Sequence, residues 1–209
     1  MKDWLKTEWL NVMSQCTEDN VVIDAFWKEL EAHYKHKSRH YHNFVHIYNM
    51  LIQLDEFETE ISDLQALKFA IWYHDVIYKS TKKDNEEKSA EFAKTRLKSF
   101  NFEEKRIEII RNHIISTKKH ELISTETNDN AILLDLDLSI LGTDWDTYKI
   151  YIQNIRKEYA IYPNFMYKKG RKKVLQHFLE RDALFFTEKY KTNFEQQARE
   201  NLKREIELL

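Results

Sequence analysis

Two glycines and one proline are all that this 209-residue chain contains. Sheet-rich folds reverse direction often, and their tight turns are built from those two residue types. So small a supply predicts an all-α chain, with helices joined by polar stretches. The length suits a single domain over residues 1–209 with a sizeable core, and no repeat, linker or low-complexity stretch divides it. The net charge is -2, with both signs mixed along the chain. That argues against bulk nucleic-acid binding but leaves room for a local basic patch. One cysteine, Cys16, excludes an intramolecular disulfide framework and suits a reducing compartment. No apolar run is long enough for a membrane span, and the start, Lys2-Asp3-Trp4, is unlike a signal peptide. A cytoplasmic protein with no membrane partner is expected.

Hydrophobic periodicity predicts the helices in turn. The first covers residues 2–15 and carries Trp4 and Trp9, which would serve a core or a homodimer equally well. The second carries Val22, Ile23, Phe26, Trp27 and Leu30, and residues 33–40 read as a loop. A third, over 41–57, would bury Val45, Tyr48, Met50, Leu51 and Leu54. It would set His42 and His46, four apart, on one face. The fourth, 63–75, is the most apolar and therefore central. Asp84 with Glu87 has capping-box form and opens a helix over 85–98, and Asn101 with Glu104 opens another to about 116. Residues 131–142 allow a strand or a helix; turn scarcity favours a helix, with Gly142 as its C-cap. Asp144 and Asp146 start a helix to about 160 that exposes Arg156, Glu158 and Tyr159 near its end. Pro163 starts the next, to about 184. Thr192 with Glu195 caps the last, to about 207.

Chemistry concentrates where the fourth helix ends, at Ile71-Trp72-Tyr73-His74-Asp75. An imidazole and a carboxylate at the end of a buried helix lose hydration unless something compensates them, and a shared metal ion would. His42 and His46 form an i, i+4 pair, a common metal arrangement as well as a common helix-end pair. Asp135 and Asp137 interrupt an apolar run, so each needs a cation, a metal or donors. Two imidazoles and two carboxylates from His46, His74, Asp75 and Asp137 suit a divalent ion such as Mn, Fe, Co, Ni, Zn or Mg. Asp84 and Glu87 start a helix and have a second possible role near that ion. His113 lies inside a helix and reads as core; His120, just past the end, is better placed to face a cleft. The basic run Lys168 to Lys173 reads as a solvated face or a phosphate contact.

The order His46, His74-Asp75, Asp137 resembles the HD superfamily of metal-dependent phosphohydrolases, which are helical bundles. Tyr41-His42-Asn43-x-x-His46 also looks like a segment of cyclic-nucleotide phosphodiesterases. There the first histidine donates a proton to the leaving oxygen and the second binds metal. Asp137-Leu138-Ser139 is similar to their distal Asp-Leu-Ser. The chain departs from them after His74-Asp75, where Val76-Ile77-Tyr78 stands in place of the further histidine. A closer resemblance covers nearly the whole chain, to the small group described as predicted HD phosphohydrolases. It rests on Arg39-His40-Tyr41-His42-Asn43, Trp72-Tyr73-His74-Asp75-Val76-x-Tyr78, Asp84-Asn85-Glu86-Glu87-x-Ser89-Ala90 and Thr117-Lys118-x-His120. Asp135-x-Asp137-Leu138-x-Ile140-Leu141-Gly142, Arg156-x-Glu158-Tyr159 and Ala198-Arg199-x-Asn201-Leu202 complete it.

The resemblance implies an HD-domain-like bundle that hydrolyses a small phosphorylated substrate, a nucleotide or another phosphorylated metabolite. It implies His46, His74, Asp75 and Asp137 as ligands; Asp75, if it coordinates, could also bridge to a second, weaker ion. His42 would be the general acid, and Asp135 would orient a ligating histidine. Lys118, His120, Arg156 and Arg171 are candidates, by charge and position, to neutralise phosphate. Two other classes remain open: a regulatory HD module that binds a nucleotide or metal without turnover, and a di-iron oxygenase that would draw further ligands from His113 and His120.

Overall fold

The structure, a computed structural model, describes residues 1–57, 59–123 and 126–209. Among them are ten α-helices and no strand, as the turn-residue count requires. The chain divides into two compact units, Met1–Leu133 and Leu134–Leu209.

The first unit holds α1 (Lys2–Met13), α2 (Asn20–Tyr34), α3 (Phe44–Leu54), α4 (Leu64–Tyr73), α5 (Asn85–Lys98) and α6 (Glu104–Ser116). It also holds the first half of α7 (Asp129–Leu138). The apolar helix is central: α4 packs against α1, α3, α5 and α6, and buries every residue from Phe69 to Tyr73. Trp72 meets Trp9 edge-on at 5.6 Å and Trp27 at 6.2 Å, while Trp27 stacks on Phe44 at 5.2 Å. Trp9 is therefore core, with its indole N–H donating to the Ile23 carbonyl at 3.1 Å. Through Trp27, α2 thus links α4 to α3; truncating a buried Trp to Ala costs about 3–5 kcal/mol. The N-terminus of α4 is held from far along the chain. Both oxygens of Asp129 accept from backbone N–H groups, of Ser62 at 2.8 Å and Asp63 at 2.9 Å, while the Asp63 carboxylate caps Ala66 and pairs with Arg106.

Several expected boundaries move, each because a different residue caps. Asn43, not Tyr41, opens α3, its side chain accepting from the Val45 N–H at 2.8 Å. His42 therefore lies outside the helix and shares no helix face with His46. The buried face of α3 is Phe44, His46, Ile47, Met50, Leu51 and Leu54; Val45 is exposed and Tyr48 half-buried. His33 belongs to the last turn of α2, against Phe92, and is not in a loop. No capping box forms at Asp84: its carboxylate pairs with Lys88 at 2.8 Å. Asn101 adopts a left-handed conformation, φ 59°, after α5 and does not cap α6.

The second unit holds the rest of α7, α8 (Trp145–Glu158), α9 (Asn164–Leu179) and α10 (Glu188–Leu208). Residues 131–138 are helical, as expected, and a 3₁₀ turn, Ser139–Gly142, follows. Gly142 is not a left-handed cap. A Cβ there would sit 2.6 Å from Cβ of Phe194 on α10, so close packing requires the glycine. Glu158 is buried, contrary to expectation. Thr187 caps α10, so Thr192 and Glu195 lie inside it, where Glu195 accepts from the Leu184 and Phe185 N–H groups.

Candidate metal centre

The centre is assembled in the first unit by two helix ends. His46 stands in the first turn of α3, and His74 and Asp75 follow the last turn of α4. His74 Nε2 lies 3.2 Å from His46 Nε2 and 3.3 Å from Asp75 Oδ2, and His46 Nε2 lies 4.0 Å from that oxygen. Both imidazoles are buried, and the Asp75 side chain is 13 % exposed. A circle through the three atoms has a radius of about 2.1 Å, which matches metal–nitrogen and metal–carboxylate bond lengths. The donor set therefore fits a divalent ion: two borderline nitrogens and one hard oxygen converge on one point.

Neighbouring groups orient these atoms. The Ile71 carbonyl lies 2.9 Å from His74 Nδ1, so Nδ1 carries the proton and Nε2 offers its lone pair to the centre. Arg39, nearly buried, donates to the carbonyl of Asp75 at 2.6 Å, of Val76 at 2.8 Å and of His42 at 3.1 Å. Its guanidinium lies over Tyr34, 5.1 Å from the ring centroid. On the other flank, Ser89 bonds both the N–H and the carbonyl of Ile77, and Asn85 does the same for Lys79. Residues 75–79 have no helical ladder of their own, so these side chains satisfy their backbone. Arg39, Asn85 and Ser89 were not picked out from sequence as site-builders. All three sit in polar stretches, and a polar side chain there does not say which backbone group it will meet.

His42 stacks on Tyr78, with centroids 4.1 Å apart, and its ring centroid is 6.3 Å from that of His46. Asp84 and Glu87 are drawn outward by Lys88 and Lys118. The acid nearer the centre is Glu86, which sequence reasoning passed over. Burial raises its pKa, and the Asp75 and Glu87 carboxylates add to the rise. Lys118 is thus paired with Glu87, and His120, in a left-handed conformation at φ 50°, is half-buried. His113 is buried on α6, in keeping with a core position.

The remaining candidates lie in the second unit. Asp137, on the last turn of α7, is half-buried. Asp135 is fully buried, and both its oxygens are taken by the turn before α10: Phe186 N–H at 2.7 Å, Thr187 N–H at 2.8 Å and Thr187 hydroxyl at 2.6 Å. Its observed work is to hold that turn rather than to orient a histidine. Burial pushes its pKa up to about 6, against the pull of these donors. Arg156 ties α8 to α9 through the Tyr159 and Tyr162 carbonyls and Asn164. Arg171 grips Glu205 with Nε at 2.7 Å and Nη2 at 3.0 Å. Both guanidiniums are thus engaged internally rather than held out to a phosphate.

No family model, curated protein or solved structure matches this chain.

Proposed function

We propose that the chain is a metal-dependent phosphohydrolase acting on a small phosphate ester, an HD-type enzyme in keeping with its sequence resemblance. The observation that carries the reading is the convergence of His46, His74 and Asp75 on one point in a largely buried setting. A bound divalent ion would supply a Lewis acid that lowers the pKa of water and polarises a phosphoryl oxygen. His74 would offer Nε2 because Ile71 holds its Nδ1 proton. Arg39 would keep the backbones of Asp75 and His42 in fixed relation, since it bonds both carbonyls. His42 would donate a proton to the leaving oxygen, with Tyr78 holding its ring plane. Lys118 and His120 are retained as phosphate contacts, Lys118 on leaving its partner Glu87; Arg156, tied to two backbone carbonyls and Asn164, and Arg171, tied to buried Glu205, are less available. Asp137 enters as a fourth ligand on the sequence resemblance alone, and metal content of Asp137→Ala tests it.

The deciding experiment is phosphate release from a panel of nucleotides and sugar phosphates with Mn²⁺, wild type against Asp75→Ala. Turnover in the wild type that vanishes in the variant supports the reading. Full activity and full metal content in Asp75→Ala would overturn it.

A further inference from the structure

The outer face of α9 carries four lysines and no acid. From residue 159 to 179 there is no aspartate or glutamate, although the chain has 35. Lys168, Lys169, Lys172 and Lys173 lie in that stretch and are exposed. Many lysines elsewhere are paired, among them Lys2 with Glu31, Lys28 with Asp24, Lys94 with Glu108 and Lys149 with Asp146. Among the described residues, none of the four on α9 makes an ion pair or a hydrogen bond.

The same face carries large apolar side chains in water. Ile161, just before the helix, is 71 % exposed, Phe165 73 % and Met166 49 %. The helix is anchored by its opposite side, where Tyr167, Arg171 and Leu175 recur at i, i+4 and i+8 and pack inward. Gly170 stands among the lysines with open space where a Cβ would be, so no internal packing requires it. A solvated face would not need three exposed large apolar residues beside four unpaired cations. A partner that is anionic and apolar at once would use both.

We propose that the outer face of α9, with Ile161, is a peripheral docking surface for a bilayer containing anionic lipid. The helix would lie in the plane of the membrane. Ile161, Phe165 and Met166 would enter the boundary between headgroups and acyl chains, and the lysines would reach headgroup phosphates on flexible stems. Nucleic acid shares the negative charge, but it offers no place to bury Ile161 and Met166; only Phe165 suits stacking on a base. The contact is in-plane and not a span: among the described residues no helix is long and apolar enough to cross a membrane. The inference departs from the expectation of no membrane partner, which rested on the lack of a long apolar run. It does not depend on the proposed activity.

The test is flotation of the full chain with phosphatidylcholine vesicles, with and without 30 mol % phosphatidylserine (roughly the charge density of an anionic leaflet). Binding is expected only with the anionic vesicles, weakening as salt rises. Each Lys→Gln change on α9 should weaken it about fivefold. Ile161→Ser with Phe165→Ser should weaken it while leaving its salt dependence in place. Circular dichroism of each variant checks that α9 still folds. No binding to anionic vesicles, or equal binding to neutral ones, would overturn the proposal. So would tighter binding to a duplex or single-stranded oligonucleotide that ignores the two serine changes.

Discussion

Glu205 and Asp75 are both carboxylates set among ionisable neighbours inside their units, and their surroundings differ in kind. Around Glu205 every partner is a donor. Arg171 gives two N–H groups and Tyr148 its hydroxyl at 2.5 Å, and burial, with the carboxylate next, holds the Tyr148 phenol well above its ordinary range. The cluster satisfies itself. Close to the Asp75 carboxylate stand the Nε2 atoms of two histidines, each able to offer a lone pair, and the three atoms point to one centre. Of the two, Arg171–Glu205 is what a structural ion pair looks like, and His46–His74–Asp75 is what a ligand set looks like. Perturbed charge alone does not separate them; the balance of donors and acceptors does.

The comparison breaks first at Glu205. Glu205→Ala strands a buried guanidinium and should cost about 3–5 kcal/mol in urea unfolding, with metal content unchanged. Arg171→Met with Glu205→Leu should cost much less than the single change, since no charge is left alone. A double variant as damaged as the single one would show that the pair does more than satisfy itself.

Next in size is metal loading. At a hundredfold excess over its dissociation constant, a divalent ion should stabilise the wild type by about 2.7 kcal/mol. His74→Ala should lose that gain, whatever the loss of a buried imidazole costs the apo protein. Thermal shifts with Mn²⁺, Zn²⁺ and Ni²⁺ read this directly; equal shifts in the variant would remove the centre from consideration.

Arg39 sharpens the contrast, because it is a buried cation whose observed hydrogen bonds go to carbonyl oxygens. Arg39→Ala should weaken metal affinity by about 10–100-fold through displacement of Asp75. Arg39→Lys, lacking the planar fork, should recover only part of it. Calorimetric metal titration decides the matter; unchanged affinity in both variants would make the residue purely structural.

His113 gives the smallest effect and an intermediate case, a buried imidazole outside both clusters. Burial lowers its pKa, with Asp129 and Asp63 pulling the other way. A lowered folded pKa means the unfolded chain takes up the proton first as pH falls. Stability is then present above about pH 6.5 and lost as pH falls below it. His113→Gln should flatten urea midpoints between pH 7.5 and 5.5; an unchanged slope would assign the loss to other groups.

Much of this was legible in the sequence. Turn-residue scarcity predicts the helical class, and the run Phe69 to Asp75 marks the central helix and its polar end. The helix starts were less legible, because capping is a competition between neighbours. Asn43 beats Tyr41, Thr187 beats Thr192, and Asn101 takes a left-handed turn instead of a cap. A sequence shows which side chains accept, not which N–H will be waiting. The same blindness hid Arg39, whose partners are three backbone carbonyls and carry no residue signature. Glu86 was hidden differently: in a run of acids, only the helix phase decides that Glu87 meets Lys118 while Glu86 turns inward.

The Asp129 clasp has a consequence for the order of events during synthesis. It joins groups 66 and 67 residues apart, so the start of α4 cannot be sealed until the chain has grown well past both histidines and Asp75. Closing so long a loop is slow compared with forming a helix. The nascent chain would thus emerge with its three candidate ligands already made but their supporting helix still frayed at one end, and the candidate centre would reach its final geometry only after residue 129 has left the ribosome.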